Sequence, residues 1–140
     1  MKGGEILAQK TFRANDASLS DAIGFVEENL DLCGASLKAS MQITVAVEEI
    51  FVNVAHYAYP EGEGEVTVSV CIEDENAVIA FSDEGIPFDP LAKDDPDITL
   101  SAEERNIGGL GIFMVKKSMD KVGYERKDGK NIFTMVKRVR

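Results

Sequence analysis

Glu49 and Asn53 stand four residues apart in the run Thr44–His56, TVAVEEIFVNVAH. On a helix, side chains at that separation lie one above the other and can act on the same small object. The Asn53 carboxamide offers a hard oxygen suited to Mg²⁺, an ion that keeps several waters and takes phosphate oxygens as further ligands. Downstream, Asp83-Glu84-Gly85-Ile86-Pro87 sets a carboxylate at a strand end just before a glycine. Such an Asp can accept a hydrogen bond from an exocyclic amino group, and the glycine lets backbone come close to a flat ring. Asp-x-Gly is also a common turn cap. Gly108-Gly109-Leu110-Gly111 opens a helix. Free N–H groups and the positive end of the helix dipole point outward there, and small residues admit phosphate oxygens. A flexible hinge is the plainer reading of the same glycines. The spacing is not that of a dinucleotide fold, and no Gly-Lys-Ser/Thr follows, which excludes a P-loop. Taken together, the three segments describe a nucleotide site to which adenine is the natural fit.

The elements that must position these residues follow from the hydrophobic pattern. At about 3.6 residues per turn, Ile43, Val47, Ile50, Phe51, Val54 and Ala58 share one side of a helix. Gln42, Glu49, Asn53 and His56 fall in a stripe on another side, with no Lys or Arg among them. Ser36 caps this helix over 37–58, and Pro60 closes it. Before it, Glu5–Ala14 alternates as a strand. Asn15 or Asp16 then caps a helix over 17–32, which Cys33-Gly34 ends. After the turn 60–64, Glu65–Glu73 (EVTVSVCIE) is a strand with one buried face, and Ala77–Ser82 is its hairpin partner. Periodicity is lost from Pro87 to Asn106, a stretch with Pro87, Pro90 and Pro96 and many acids; such a segment reads as a lid over approximately 88–108. A helix over 111–119 and strands over 122–126 and 131–137 close the chain, the last two joined at Asp128-Gly129, a hairpin signal. The order β, α, α, β, β, lid, α, β, β specifies an α+β two-layer sandwich, expected as one domain over 1–140.

Composition narrows the partners. The 140 residues carry a formal net charge of −10, with 44% hydrophobic and 29% charged residues. An acidic surface opposes direct nucleic-acid binding through phosphates and suits a protein partner with a basic patch. Cys33 and Cys71 form neither a metal-ligand spacing nor a disulfide framework, and free thiols point to a reducing compartment. No signal core and no membrane-length apolar run is present, so no membrane association is expected and the expected setting is cytoplasmic.

The segments Glu49-Ile-Phe-Val-Asn53, Asp83-Glu-Gly85-Ile-Pro87-Phe-Asp-Pro90 and Gly108-Gly-Leu-Gly111-Ile resemble the N, G1 and G2 boxes of the histidine-kinase-like ATPases. Within that superfamily the chain most resembles the small anti-sigma-factor serine kinases of partner-switching systems. The resemblance implies the Bergerat-type sandwich with an ATP lid and the use of ATP with Mg²⁺. It also implies two partners, a sigma factor and an anti-sigma antagonist of STAS fold that is phosphorylated on serine, and it makes a homodimer plausible. Residue by residue, it makes Asn53 the Mg²⁺ ligand and Glu49 the general base for the attacking hydroxyl. Asp83 would bind the adenine amino group with Gly85 beside it, while Gly108, Gly109, Leu110 and Gly111 would border the phosphates. Arg105, rather than Lys93, is the cation expected to meet the γ-phosphate. Relatives often carry His four residues after the Asn. Here that position is Tyr57, and His56 reads as a structural residue at the helix end.

Two other functions share these residues. A non-enzymatic module gated by ATP would need the same nucleotide site. The catalytic domain of a sensor histidine kinase would need a phospho-acceptor histidine elsewhere, and the sole His lies in the site helix.

Overall fold

The computed structural model describes residues 5–92 and 109–140. Five strands, β1 (Glu5–Arg13), β2 (Glu65–Glu73), β3 (Asn76–Asp83), β4 (Lys121–Lys127) and β5 (Lys130–Arg138), form one sheet in the order β1-β2-β3-β5-β4. Every neighbouring pair is antiparallel. Helices α1 (Leu19–Leu32), α2 (Leu37–Tyr57) and α3 (Gly109–Ser118) make the second layer of an α+β sandwich.

Period-two alternation decides which sheet face the helices cover. Val66, Val68 and Val70 of β2, Ala77, Ile79 and Phe81 of β3, and Phe133 and Met135 of β5 are all buried. They meet Ile43, Ala46, Val47, Ile50 and Phe51 of α2 and Val26 and Leu30 of α1 in one core. The intervening Thr67, Ser69, Ala80, Ser82 and Thr134 lie on the opposite face and are less completely covered. Two polar residues, Asp83 and Asn131, occupy inward positions at the end of β3 and the start of β5, directly across from each other in register.

The caps act as the sequence indicates, with the starts of α1 and α3 shifted. Ser36 Oγ accepts from the Ala39 N–H at 3.1 Å and starts α2. Asn15 caps a 3-10 turn over Asp16–Ser18 rather than the α-helix itself, which begins at Leu19. Gly34, at φ +79°, ends α1 as the Ala35 N–H reaches back to the Leu30 carbonyl at 3.0 Å. Asp128 and Gly129 both have positive φ, 54° and 78°, as a tight turn matched to the twist of its strands requires. Helix α3 starts at Gly109, two residues before the expected start, which puts Gly111 inside its first turn. Most of the expected lid, together with Lys93, Arg105 and Gly108, lies outside the described residues.

Candidate functional site

The C-terminal half of α2 and the end of β3 meet over a cleft. Ile50, Val54, Phe81 and Phe133 supply apolar walls, Asp83, Asn131 and Asn53 the polar groups, and Phe88 and Pro90 a further wall. Asp83 is 5% exposed, and its Oδ1 accepts from the Gly85 N–H and from Asn131 Nδ2, each at 2.9 Å. No described donor other than these meets the carboxylate. The Asn131 amide also donates to the Ile86 carbonyl at 2.7 Å, and its Oδ1 accepts from the Phe88 N–H at 3.2 Å and from the Tyr124 hydroxyl. Arg126 Nη1 donates to the Gly85 carbonyl at 2.8 Å. A single carboxamide in β5 thus ties Asp83 and the backbone of the loop that follows into one arrangement.

At Gly85 the protein itself leaves no room for a side chain. A Cβ at this position would stand 2.2 Å from the Ala58 carbonyl oxygen and 2.6 Å from the Ala58 Cβ. The loop presses on the end of α2, where the Ile86 N–H donates to that same carbonyl at 2.9 Å. Tyr59, just past the helix, accepts from the Glu84 N–H at 2.9 Å and donates to the Glu65 carbonyl at 2.6 Å. Burial is the main force raising the Tyr59 hydroxyl above the usual tyrosine range.

The space between these walls amounts to about 20 Å³, room for a water molecule but not for a ring. Phe88 stacks on Tyr57 with centroids 5.5 Å apart and planes 26° from parallel. The cleft beside Asp83 is therefore closed to a flat ring in this arrangement.

The second half of the site lies one turn earlier on α2. Glu49 is half-buried, and a Cβ at Gly111 would stand 2.1 Å from its Oε2 and 2.6 Å from its Cδ. The carboxylate occupies the space a side chain at Gly111 would take, in the first turn of α3, where the helix dipole favours negative charge. Asn53 follows one turn on, so the carboxylate and the carboxamide lie on the same side of α2. This donor set fits Mg²⁺ carried by a phosphorylated ligand: a hard amide oxygen beside a carboxylate, with no group of three or more His, Cys, Asp or Glu among the described residues to build a dedicated metal cage.

Asn53 and Asp83 share the cleft, and Glu49 and Gly111 share the α2–α3 contact. Gly109 and Leu110 form the start of α3, and Gln42 lines the groove between α2 and α3. His56 is directed elsewhere: its Nε2 pairs with Asp16 Oδ1 at 2.9 Å, as a structural residue at the helix end would. Asn131, Tyr124, Arg126 and Tyr59 escaped the sequence reading. The available signal was Asn131 itself, a polar residue in phase with Phe133 and Met135 on an inward strand face.

Cys33 and Cys71 are not joined in a disulfide, and no helix among the described residues is long and apolar enough to cross a membrane.

Comparison with known proteins agrees with this geometry. The chain is 31% identical over 104 residues to the serine-protein kinase RsbW of Listeria monocytogenes, an alignment covering 71% of this chain and 66% of that protein. It is 27% identical over 96 residues to the anti-sigma F factor of Clostridium acetobutylicum, covering 69% and 67%. The chain therefore spans about two thirds of the length of the curated relatives it matches. Among solved structures, the fold matches the RsbU and RsbW domains of a Mycobacterium tuberculosis protein, with a TM-score of 0.66 at 15% identity over 94% of this chain and 32% of that one. It also matches the Pseudomonas aeruginosa SiaB-SiaC complex, with a TM-score of 0.62 at 17% identity over 96% and 91%. Residues 12–137 match the family described as the histidine kinase-like ATPase domain, and the chain belongs to that family.

Proposed function

We propose that this chain is an ATP-dependent protein-serine kinase that also acts as an anti-sigma factor, phosphorylating a STAS-fold antagonist in a partner-switching system. The observation that carries the reading is the Glu49 carboxylate seated at the first turn of α3, one helical turn from Asn53. The names of the Listeria and Clostridium relatives support the same activity. We read residues 1–140 as one such domain working in the cytoplasm.

In this reading Asp83, held by Asn131 and Gly85, accepts the adenine amino group, and the apolar walls of the cleft take the ring. The first turn of α3 faces the phosphates with its N–H groups. Asn53 would hold Mg²⁺, which when bound neutralises phosphate charge. Glu49 takes the proton of the acceptor serine as its oxygen attacks the γ-phosphorus. The bond from that phosphorus to the bridging oxygen breaks, ADP leaves, and the proton stays on Glu49. Arg105 and Gly108 are assigned to the phosphates through the family resemblance.

Transfer of label from γ-labelled ATP to a purified STAS-domain antagonist tests the proposal. Glu49→Gln is expected to lower transfer by about a hundredfold or more while ATP still binds. Unchanged transfer in that variant would remove Glu49 as the base, and no transfer by the unaltered chain would remove the kinase reading. The narrow cleft favours one second reading, a nucleotide-gated binding module in which movement of the Phe88–Pro90 wall sets partner affinity. Nucleotide-dependent partner binding without phosphoryl transfer would support it.

A further inference from the structure

We propose that the groove between α2 and α3 is where the phospho-acceptor protein docks, seating an apolar segment on Met41, Val45 and Met114 so that its hydroxyl reaches Glu49. The inference rests on the kinase reading above and adds to it the surface that receives the substrate.

Seven large hydrophobic residues are exposed among the described residues, and three of them, Met41, Val45 and Met114, line this one groove. Met41, Val45 and Met114 are 59%, 62% and 53% exposed, too much for a helix face sealed within its own fold. They border a groove of about 260 Å³ whose lining is almost wholly apolar. A concentration of this kind marks an interaction surface rather than scattered exposure. Methionine at two of the three positions gives the surface side chains that adapt to an occupant.

The occupant is specified by one of the residues that border the groove. Glu49 is itself a lining residue. Met41, Val45 and Glu49 follow one another at four-residue intervals along α2, so Val45 lies about 6 Å and Met41 about 12 Å from Glu49 along the helix axis. Glu49 thus borders the groove, and a segment seated on Met41 and Val45 lies beside the residue assigned to accept the serine proton. The chemistry that fits is an apolar protein segment with a hydroxyl roughly 6–12 Å from its anchoring side chains. A second copy of this chain fits poorly. Symmetric pairing through this face would cover Glu49 in both molecules and shut out a protein hydroxyl.

The test uses a STAS-domain antagonist chosen for its binding to the unaltered chain, and a Met41→Glu, Val45→Glu double variant. Both positions are solvent-exposed, and ATP affinity, expected to stay within about twofold, reports that the variant is folded. Carboxylates in the groove are expected to raise the antagonist's Kd, and the KM for its phosphorylation, by about tenfold or more. Met41→Ala is expected to move both the same way by less. Glu49→Gln is expected to lower transfer with the antagonist's Kd unchanged, separating docking from chemistry. If the unaltered chain transfers no phosphate, the kinase reading fails, and the groove is still judged by the Kd. An unchanged Kd in the double variant overturns the proposal. So does loss of self-association by light scattering with antagonist binding intact, which would make the groove a face between copies of this chain.

Discussion

Helix α2 presents two unlike surfaces at its two ends. Toward the C-terminus it meets β3, β5 and the loop after β3, where Asp83, Asn131 and Gly85 interlock in a buried arrangement around some 20 Å³ of space. Toward the middle, the face of α2 turned away from the sheet meets α3, where Glu49 lies against Gly111 beside an open groove of about 260 Å³. The first surface is set by strands in fixed register, which suits recognition of one small rigid group. The second is set by two helices and the missing side chain of one glycine, which suits a large partner that comes and goes. In the proposed reading, recognition is built into the sheet and chemistry is left at a helix contact.

The largest effect is expected where that contact is thinnest. Gly111→Ala puts a Cβ within 2.1 Å of Glu49 Oε2, and the flexible Glu49 side chain must give way. Phosphoryl transfer should fall by about a hundredfold, comparable to loss of the base itself, while ATP affinity measured by calorimetry changes much less. Parallel losses in both would mean the two ends of α2 are not separable.

At the buried end, Asp83→Asn replaces a carboxylate acceptor with a carboxamide beside Asn131. ATP affinity is expected to drop by about thirty- to a hundredfold, the range for a lost hydrogen bond to a charged group. Retained affinity would dismiss Asp83 as the reader of the base. Asn131→Ala strips partners from Asp83, Ile86, Phe88 and Tyr124 together. It should cost about 2–3 kcal/mol of folding stability in denaturant titrations and weaken ATP about tenfold, since Asp83 stays but loses its fixed orientation. A stability loss with no change in affinity would make Asn131 a purely structural residue.

What the sequence disclosed and what it withheld divide along the same line. The buried stripe of α2, the Ser36 cap and the Asp128-Gly129 turn are local patterns, read from neighbours a few residues apart. Glu49, Asn53, Asp83 and the α3 glycines were legible because each sits in a short run of distinctive composition. Asn131 was not, because its meaning comes from standing across from Asp83, 48 residues away in the chain. A further constraint on position 85 was likewise not legible. The space is taken by Ala58, whose proximity follows from helix–strand packing rather than from any motif. The groove escaped because Met41 and Val45 read as ordinary members of an apolar helix until their exposure is known.

His56 gives the smallest and most discriminating expectation. It is the only histidine, it lies in the site helix, and it stands one residue before the position where relatives often carry one. Its Nε2 is held by Asp16, ahead of α1, and its side chain is about half exposed, as is most of Asp16. A pair so open to water is screened and contributes little. His56→Ala should therefore shift folding stability by no more than about 0.5 kcal/mol and leave ATP affinity and transfer unaltered. Tyr57→Ala, the adjacent change, removes the ring against which Phe88 stacks and should alter the rate of nucleotide entry. Stopped-flow binding on the two variants side by side decides whether Tyr57, and not His56, bears on the wall of the cleft. A slowed or weakened nucleotide in His56→Ala would show that the end of α2 is coupled to the cleft through Asp16, and the division between the two surfaces would have to be drawn elsewhere.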